Sequence, residues 1–286
     1  AEPDAGTYVE AAQQAVAQAV RPKAGPVHLN VRFDKPLEPP PAWAPSARFD
    51  PATIVGGLRE TPDATETLAS FLAEHERGVV VAGSARLAPV EIQHVVDVAA
   101  AVGWPVIADP LSGGRALGRP EVVSTGELLL RDPGFVASHR PDAVLRVAGT
   151  PTGRATLAWL SALDVPTLIV DPDERWAARG PTVLRAQVGA LFTSVDPPRR
   201  DGWLATWQEA EKQAASRRRD EVSSNPATEP AMFRAALDAA AGPVWVASSM
   251  PVRHLDVMTP NGHRSPVFAN RGANGIDGTI GSAAGP

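Results

Sequence analysis

Hydrophobic and polar positions follow two different periods along residues 63–196, which predicts helices and strands in turn. Four short apolar runs occupy Val79 to Ala82, Val106 to Ala108, Ala143 to Leu145 and Thr167 to Val170. Such runs are typical of parallel strands that are covered on both faces. The stretch between the first two runs instead has its apolar residues at helical spacing. Strand, helix and strand in this order predict an α/β fold with a doubly wound parallel sheet.

The segments after this region predict further elements. A fifth strand is expected within Gln187 to Phe192. Trp203 to Val222 and Pro230 to Ala241 have helical periods, and Pro243 to Ala247 is typical of a strand. A loop region rich in Gly and Asn is expected from there to residue 286, where the last residues resemble the start of a helix.

The first 51 residues follow a different pattern. Thr7 and Glu10 form a capping box that predicts an amphipathic helix, and Pro26 to Val31 predicts a strand. Residues 32–51 contain six prolines, which favour an extended linker over helix or sheet. One helix and one strand cannot bury a core alone, so we expect them to be the end of a domain that begins upstream.

Composition and charge restrict the class of protein. The net charge of −5 argues against a nucleic-acid partner, and no apolar stretch reaches the roughly 18 residues that a membrane span needs. The cysteine count is zero, which agrees with a reducing cytoplasm, and the first residues show no signal peptide. The basic run Arg217 to Arg219 is interpreted as a solvated helix face.

Common catalytic motifs are absent from the sequence. No P-loop, Gly-x-Ser-x-Gly elbow or zinc-protease histidine pair occurs, and no metal-ligating residues are predicted. The first clear strand is followed by Gly83-Ser84-Ala85-Arg86, which is not a dinucleotide-binding glycine motif.

Two loops follow predicted strands at their carboxyl ends, where open α/β sheets bind ligands. Asp109 to Arg115 is either an anion cradle with Arg115 as counter-charge or simply a tight turn. In the second loop, Gly149 to Arg154, we expect Thr152 or Gly153 to cap the next helix. Arg154 then either projects towards a cleft or has no role beyond that helix start.

The C-terminal part contains a cluster of candidate binding residues. Ser249, Arg253 and Arg271 are predicted to lie in loops that follow strands. Arginine is suited to bidentate carboxylate binding, so the cluster favours an acidic substrate. Arginine- and glycine-rich loops also occur as plain surface turns, so the pattern leaves both interpretations open.

Two of these segments carry a family resemblance. The runs Ser248 to Arg253 and Asn270 to Thr279 resemble those of the 2-succinyl-5-enolpyruvyl-6-hydroxy-3-cyclohexene-1-carboxylate synthases of menaquinone biosynthesis. The similarity extends over essentially the whole chain, although the motifs between these two runs are less specific. The resemblance implies a central fragment that lacks most of the first and last domains.

The resemblance also implies a domain organisation. Enzymes of this family have a pyrimidine-binding domain, a central Rossmann-like domain and a diphosphate-binding domain. The segments expected here are the end of the first domain at residues 1–34, a proline-rich linker at 35–51, the central domain at 52–225 and the start of the third domain at 226–286.

The same resemblance implies the site residues. Ser249, Arg253 and Arg271 match residues that hold substrate carboxylates and hydroxyl groups. Arg154 matches a basic residue that the central domain contributes to this site. The neighbouring position, which is basic in some relatives, is Ala155 here.

The implied reaction is decarboxylation of 2-oxoglutarate and addition of the succinyl semialdehyde–thiamine adduct to isochorismate. The full-length enzyme uses thiamine diphosphate and Mg2+, but no Gly-Asp-Gly cofactor motif occurs in this sequence, and the family's catalytic glutamate belongs to the first domain. The fragment is therefore expected to contain no catalytic residue, to bind no cofactor and to be inactive alone. A cytoplasmic homodimer or homotetramer is expected for the full-length protein.

Two alternatives remain at this point. The first is another thiamine-diphosphate decarboxylase or synthase, such as one with a flavin in the central domain. The second is a ligand-binding or regulatory α/β module without enzymatic activity.

Overall fold

The computed structural model describes residues 13–19, 27–28, 61–85, 87–172, 182–270 and 278–284. Residues 13–19 are helical, and residues 27 and 28 are exposed and belong to no strand. The remainder of the predicted Pro26 to Val31 strand, the Thr7 capping box and the proline-rich linker lie outside the described residues. The elements that follow all belong to one compact unit, which comprises residues 60–172 and 176–286.

A six-stranded sheet forms the centre of this unit. Its neighbouring strands are all parallel, in the order β3-β2-β1-β4-β5-β6. The doubly wound parallel sheet predicted from the sequence is therefore confirmed. The strands are β1 (Gly78–Ala82), β2 (Val106–Ala108), β3 (Val122–Val123), β4 (Ala143–Val147), β5 (Thr167–Val170) and β6 (Thr182–Leu184).

Helices cover both faces of the sheet, and the burial of β1 shows why its sequence is apolar throughout. Val80 and Ala82 pack on the face covered by α1, α2 and α6, while Val79 and Val81 pack on the face covered by α4, α5 and α7. All five residues of β1 are buried. The helices are α1 (Ala64–Glu74), α2 (Pro89–Val102), α3 (Gly126–Leu129), α4 (Pro133–Ser138), α5 (Arg154–Ala162), α6 (Val188–Thr193) and α7 (Trp203–Ser224).

The strand predicted within Gln187 to Phe192 is wrong, because this segment forms α6. Its buried residues Val188, Leu191 and Phe192 are three and four positions apart, which is the spacing of one helix face. The strand at this edge of the sheet is instead β6, which is separated from the segment by two residues.

The C-terminal part forms a smaller parallel sheet of two strands, β7 and β8. It shares an apolar cluster with α9, in which Leu255 is fully buried and Leu111 is contributed by the turn after β2. The predicted domain boundary at residue 225 stays a prediction. The elements are α8 (Glu229–Ala239), β7 (Val244–Val246), α9 (Met250–Met258), β8 (Val267–Ala269) and α10 (Gly278–Ala284).

The loops after β1 and β4 lie against each other at the carboxyl edge of the sheet. The backbone N–H of Ser84 donates to the carbonyl of Thr150 at 3.3 Å, and that of Ala85 donates to Ala148 at 3.4 Å. A side chain at Gly83 would overlap the carbonyl oxygens of Ala148 and Gly149. Strand order reverses between β1 and β4, which is where such sheets bind nucleotides. Here the chain itself fills that crevice.

Candidate substrate-binding site

A cavity of about 720 Å3 lies between the first turn of α5, the α3 region and α9. Arg154 and Arg253 both line it, so the structure brings together two of the four predicted site residues. Arg131, which the sequence did not single out, lines the same cavity. The charged and titratable residues of the lining are Glu127, Arg131, Arg154, Arg253, His254 and Asp256.

Arg154 is the first residue of α5, and its side chain is exposed. Gly153 is the N-cap residue, as one of the two expectations for this loop had it. The side chain that caps the helix comes from Glu127, which accepts hydrogen bonds from the N–H groups of Ala155 at 3.0 Å and Thr156 at 3.2 Å. A carboxylate at this end of a helix also interacts favourably with the helix dipole.

Glu127 is held in a fixed place by a second set of contacts. Its side chain is 5% exposed and forms an ion pair with Arg131 at 3.0 Å. A side chain at Gly153 would overlap the carboxylate of Glu127 and that of Asp256, so both approach this glycine closely. The glycine therefore permits two buried carboxylates to lie beside the start of α5.

Arg253 does not lie in a loop, so that part of the prediction is wrong, whereas Ser249 lies in the turn after β7 as predicted. Ser249 is the N-cap residue of α9, and Arg253 lies within this helix. The sequence forms a helix here because Pro251 suits the first turn, and because Val252, Leu255 and Met258 recur on one buried face. Arg253 remains exposed, and its guanidinium lies 3.6 Å from the sulfur of Met250.

Ser249 is exposed and does not line the cavity, whereas its neighbour Ser248 does. The Ser248 hydroxyl donates to the carbonyl oxygen of Asn270 at 2.5 Å. This bond joins the segment before α9 to the segment after β8. Arg271 lies outside the described residues, so its place in the site stays a prediction.

The Asp109 to Arg115 loop is a pair of tight turns, and the anion-cradle interpretation is wrong. Residues 110–112 and 114–117 form short 3-10 helices on either side of Gly113, which has a positive φ of 85°. Arg115 is buried and pairs with the carboxylate of Asp256 at 2.5 Å. Its charge is therefore used within the protein and not on a ligand.

Two buried carboxyl groups lie next to this ion pair. Burial raises the pKa of Asp256 to about 7, an effect that the charge of Arg115 opposes and the charges of Asp109 and Glu127 reinforce. Burial also raises the pKa of Asp109, although its carboxylate accepts hydrogen bonds from the N–H groups of Thr152 and Leu111. Both carboxyl groups therefore keep their protons to a higher pH than exposed carboxyl groups do.

Metal-ligating side chains are not grouped together in the described residues. No group of three or more His, Asp or Glu side chains among them could hold a metal ion. The backbone N–H groups of Leu111 and Thr152, which follow β2 and β4, donate to the carboxylate of Asp109. In the described part of the chain, no helix is both long and apolar enough to span a membrane.

Comparison with known proteins identifies the family to which this fold belongs. A family model described as the middle domain of thiamine pyrophosphate enzymes matches residues 55–236. The match covers the six-stranded sheet and its helices, so the chain belongs to this family.

Individual relatives are more specific and confirm the resemblance found in the sequence. The chain is 37% identical to the 2-succinyl-5-enolpyruvyl-6-hydroxy-3-cyclohexene-1-carboxylate synthase of Rubrobacter xylanophilus over 99% of its length and 52% of that protein. It is 35% identical to the synthase of the same name from Salinibacter ruber over 99% of its length and 52% of that protein. For the Bacillus velezensis synthase these values are 31%, 96% and 50%. The chain thus spans about half the length of these curated relatives.

Proposed function

We propose that the full-length protein containing this chain is a thiamine-diphosphate-dependent transferase of menaquinone biosynthesis. It decarboxylates 2-oxoglutarate and adds the resulting four-carbon unit to isochorismate, giving 2-succinyl-5-enolpyruvyl-6-hydroxy-3-cyclohexene-1-carboxylate. The names of the relatives support this activity, and the family match supports the cofactor. When bound with Mg2+ by other parts of the protein, the cofactor would supply the carbanion chemistry.

The observation that carries the proposal is the cavity shared by Arg154 and Arg253. Both proposed substrates are dicarboxylates at neutral pH, and guanidinium groups bind carboxylates with two parallel hydrogen bonds. Arg131 adds a third guanidinium, which is partly neutralised by its ion pair with Glu127. We therefore assign carboxylate binding to Arg253 and Arg154.

Ser249 and Arg271 complete the proposed site. Ser249 makes no capping hydrogen bond within α9, so its hydroxyl is available to a substrate hydroxyl or carboxylate. Arg271 follows Asn270, whose carbonyl is bonded to Ser248 at the start of α9. We propose that both residues approach the substrate when the full-length protein is assembled. The chain by itself would then be inactive and would bind no thiamine diphosphate.

The alternative with a flavin in the central domain is less well supported. The crevice where strand order reverses is filled by the loops after β1 and β4, which are bonded to each other. A flavin or nucleotide at that place would have to separate these loops. We also propose, on the resemblance alone, that the full-length protein is cytoplasmic and forms a homodimer or homotetramer. Light scattering on the purified protein would test the oligomeric state.

Replacing Arg253 by Ala in the full-length protein tests the proposed site. Loss of a charge-assisted partner for a bound carboxylate costs on the order of 2–5 kcal/mol, so kcat/KM should fall about 30- to several-thousand-fold. Thermal stability should change little, because Arg253 is exposed and such substitutions change stability by about 0.5 kcal/mol or less. Arg253→Lys should restore only part of the activity, since an ammonium group cannot form the bidentate contact.

Arg217→Ala is the matched control, because Arg217 is an exposed arginine on α7 that does not line the cavity. It should leave kcat/KM with 2-oxoglutarate and isochorismate unchanged. Normal turnover in both Arg253→Ala and Arg154→Ala would refute the site. Absence of turnover in the unaltered full-length protein, with thiamine diphosphate and Mg2+ added, would refute the proposed reaction.

A further inference from the structure

The C-terminal end of α9 is held by three arginines. The carbonyl oxygens of residues 256–259 accept side-chain hydrogen bonds in succession. Arg115 donates to the first at 2.6 Å and to the last at 2.9 Å. Arg218 donates to the second at 2.9 Å, and Arg234 donates to the third at 3.4 Å. We call Arg115, Arg218 and Arg234 the arginine clamp.

The clamp supplies the hydrogen-bond donors that the C-terminal end of every helix requires. The last four carbonyl groups of a helix have no partner within it and carry a partial negative charge. Other helices of this protein meet the need more simply: α2 ends at Gly103, whose backbone N–H returns to the last turn. The clamp instead satisfies the carbonyls of α9 with side chains that come from outside the helix.

The three arginines come from three separate elements. Arg115 belongs to the 3-10 turn after β2, Arg218 to α7 and Arg234 to α8. Arg218 is buried, which corrects its interpretation as part of a solvated helix face, whereas Arg217 and Arg219 are exposed as predicted. Contacts from three directions restrict both the position and the tilt of α9 relative to the large sheet.

Arg115 makes four hydrogen bonds, which connect α9 to the end of β2. Besides the two carbonyls of α9, it donates to the carbonyl of Ala108 at 2.8 Å and to the carboxylate of Asp256 at 2.5 Å. The side chains of Arg115 and Asp256 are 4% and 7% exposed. A buried ion pair of this kind is often no more stable than apolar side chains of the same size, but it fixes geometry closely.

The geometry that the clamp fixes is that of Arg253. Arg253 precedes Asp256 by three residues on α9, and side chains three apart lie on neighbouring parts of a helix surface. The helix is only nine residues long, so an anchor at its C-terminal end also determines where its first turns lie. Those first turns contribute Met250 and Arg253 to the cavity.

We propose that the arginine clamp positions Arg253 for the substrate carboxylate, which makes Arg115 and Arg218 positioning residues of the site. This inference rests on the proposed function, because it concerns the same cavity and the same substrates. Neither residue needs to touch the substrate; each acts through the placement of α9.

Two variants of the full-length protein test the inference. Arg115→Lys keeps the charge beside Asp256 but cannot reach both backbone carbonyls and Ala108 at once. Arg218→Met keeps the length of the side chain and removes its hydrogen bond to α9. A displacement of about 1 Å at a binding group can reduce catalysis about 100-fold, so we expect KM for the substrate held by Arg253 to rise about 10- to 100-fold.

Arg200→Lys is a matched control at the other end of the sheet. Arg200 donates to the carbonyl oxygens of Leu72, Ala73 and His75 at 2.6–2.7 Å, and so binds the C-terminal end of α1 in the same manner. It does not line the cavity. Arg200→Lys should lower the melting temperature as Arg115→Lys does, but KM should stay normal.

A double variant distinguishes an effect of Arg115 that acts through Arg253 from a general loss of activity. If Arg115 acts through Arg253, the double variant Arg115→Lys/Arg253→Ala should lose about as much kcat/KM as Arg253→Ala alone. If the two losses multiply, the residues act independently and the inference is overturned. A normal KM in Arg115→Lys and Arg218→Met, with Arg253→Ala impaired, would also overturn it while leaving the proposed function intact.

Hydrogen exchange tests the clamp without any reference to activity. Backbone amides of residues 250–258 should exchange faster in Arg115→Lys than in the unaltered protein, whereas Arg200→Lys should affect residues 64–74 instead. Unchanged exchange in α9 would show that the clamp does not hold this helix. If the unaltered protein has no turnover, the proposed function fails and the exchange result alone decides whether the clamp fixes α9.

Discussion

Replacing Asp256 by Asn is expected to change how the stability of the chain depends on pH. Asp256 is buried and faces Arg115, Asp109 and Glu127. Burial raises its pKa from the ordinary value of 3.8 to about 7, against the opposing effect of the Arg115 charge. Asparagine has nearly the same shape and remains neutral, so it removes this titration together with the negative charge that can pair with Arg115.

The sign of the effect follows from proton binding. Between about pH 4 and pH 7 the folded state holds a proton on Asp256 that the unfolded state has released. The free energy of unfolding of the unaltered chain therefore falls as the pH rises through this range, by up to about 1.4 kcal/mol per pH unit from this group. The Asp256→Asn variant has no carboxyl group at this position, so its free energy of unfolding does not fall in this way. Its stability relative to the unaltered chain should rise by about 2–3 kcal/mol between pH 5 and pH 8.

Urea unfolding at several pH values measures this difference directly. Tryptophan fluorescence is a suitable signal, because Trp104 and Trp207 are fully buried. Asp220→Asn is the control for the change in net charge, since Asp220 is exposed on α7 and meets water in both states. Any change with pH in the stability of Asp220→Asn relative to the unaltered chain is subtracted as the effect of net charge alone.

The opposite slope would refute the reasoning. If Asp256→Asn loses stability relative to the unaltered chain as the pH rises, then the ion pair with Arg115 outweighs burial and the carboxyl pKa lies below its ordinary value. In that case Asp256 would stabilise the fold as an anion at neutral pH. The experiment therefore decides which of the two opposing effects is larger.

Two further predictions concern packing and hydrogen bonding around the same part of the protein. Gly153→Ala should destabilise the fold by about 1–3 kcal/mol, because the new methyl group would overlap two buried carboxylates although the backbone conformation suits alanine. Its control is Gly242→Ala, where the new methyl group would meet no atom within 4 Å. Gly242→Ala should be neutral or stabilising by up to about 1 kcal/mol. Glu211→Gln should lower the free energy of unfolding by about 1–3 kcal/mol, because both carboxylate oxygens accept hydrogen bonds from residues 124–125. Its control is Glu209→Gln on the exposed side of α7, which should change stability by about 0.5 kcal/mol or less. Chemical unfolding measures all four, and equal effects within either pair would contradict the contacts assigned here.

The sequence predicted the central strands well because burial on both faces leaves a plain signal. Val79 to Ala82 and Thr167 to Val170 are apolar runs, and both are strands of the large sheet. The edge strands β3 and β6 have only two and three residues, which is too short for a period to be recognised. A strand was predicted instead at the apolar residues of α6, although their spacing is helical.

The candidate site was predictable only in part. Arg154 and Arg253 were singled out by their positions after predicted strands, and the family resemblance implied their role in substrate binding. The structure places both of them at one cavity. The buried carboxylates of Glu127 and Asp256 gave no comparable signal, since an acidic residue on a helix usually faces water. Their importance comes from Gly153 and Arg115, which lie far from them in the sequence and near them only after folding.

The strand order also determines when the sheet can form. β1 lies at the centre, where Gly78 pairs with Ala143 of β4, and every neighbouring pair in the large sheet is parallel. Parallel strands cannot be joined by a tight hairpin, so each pairing closes a long loop, and folds dominated by such contacts form slowly. During synthesis β1 leaves the ribosome well before β4 exists, with the apolar residues of both its faces uncovered. During that interval the nascent chain is exposed to wrong strand pairing and aggregation. In the folded sheet the same apolar residues are buried on both faces.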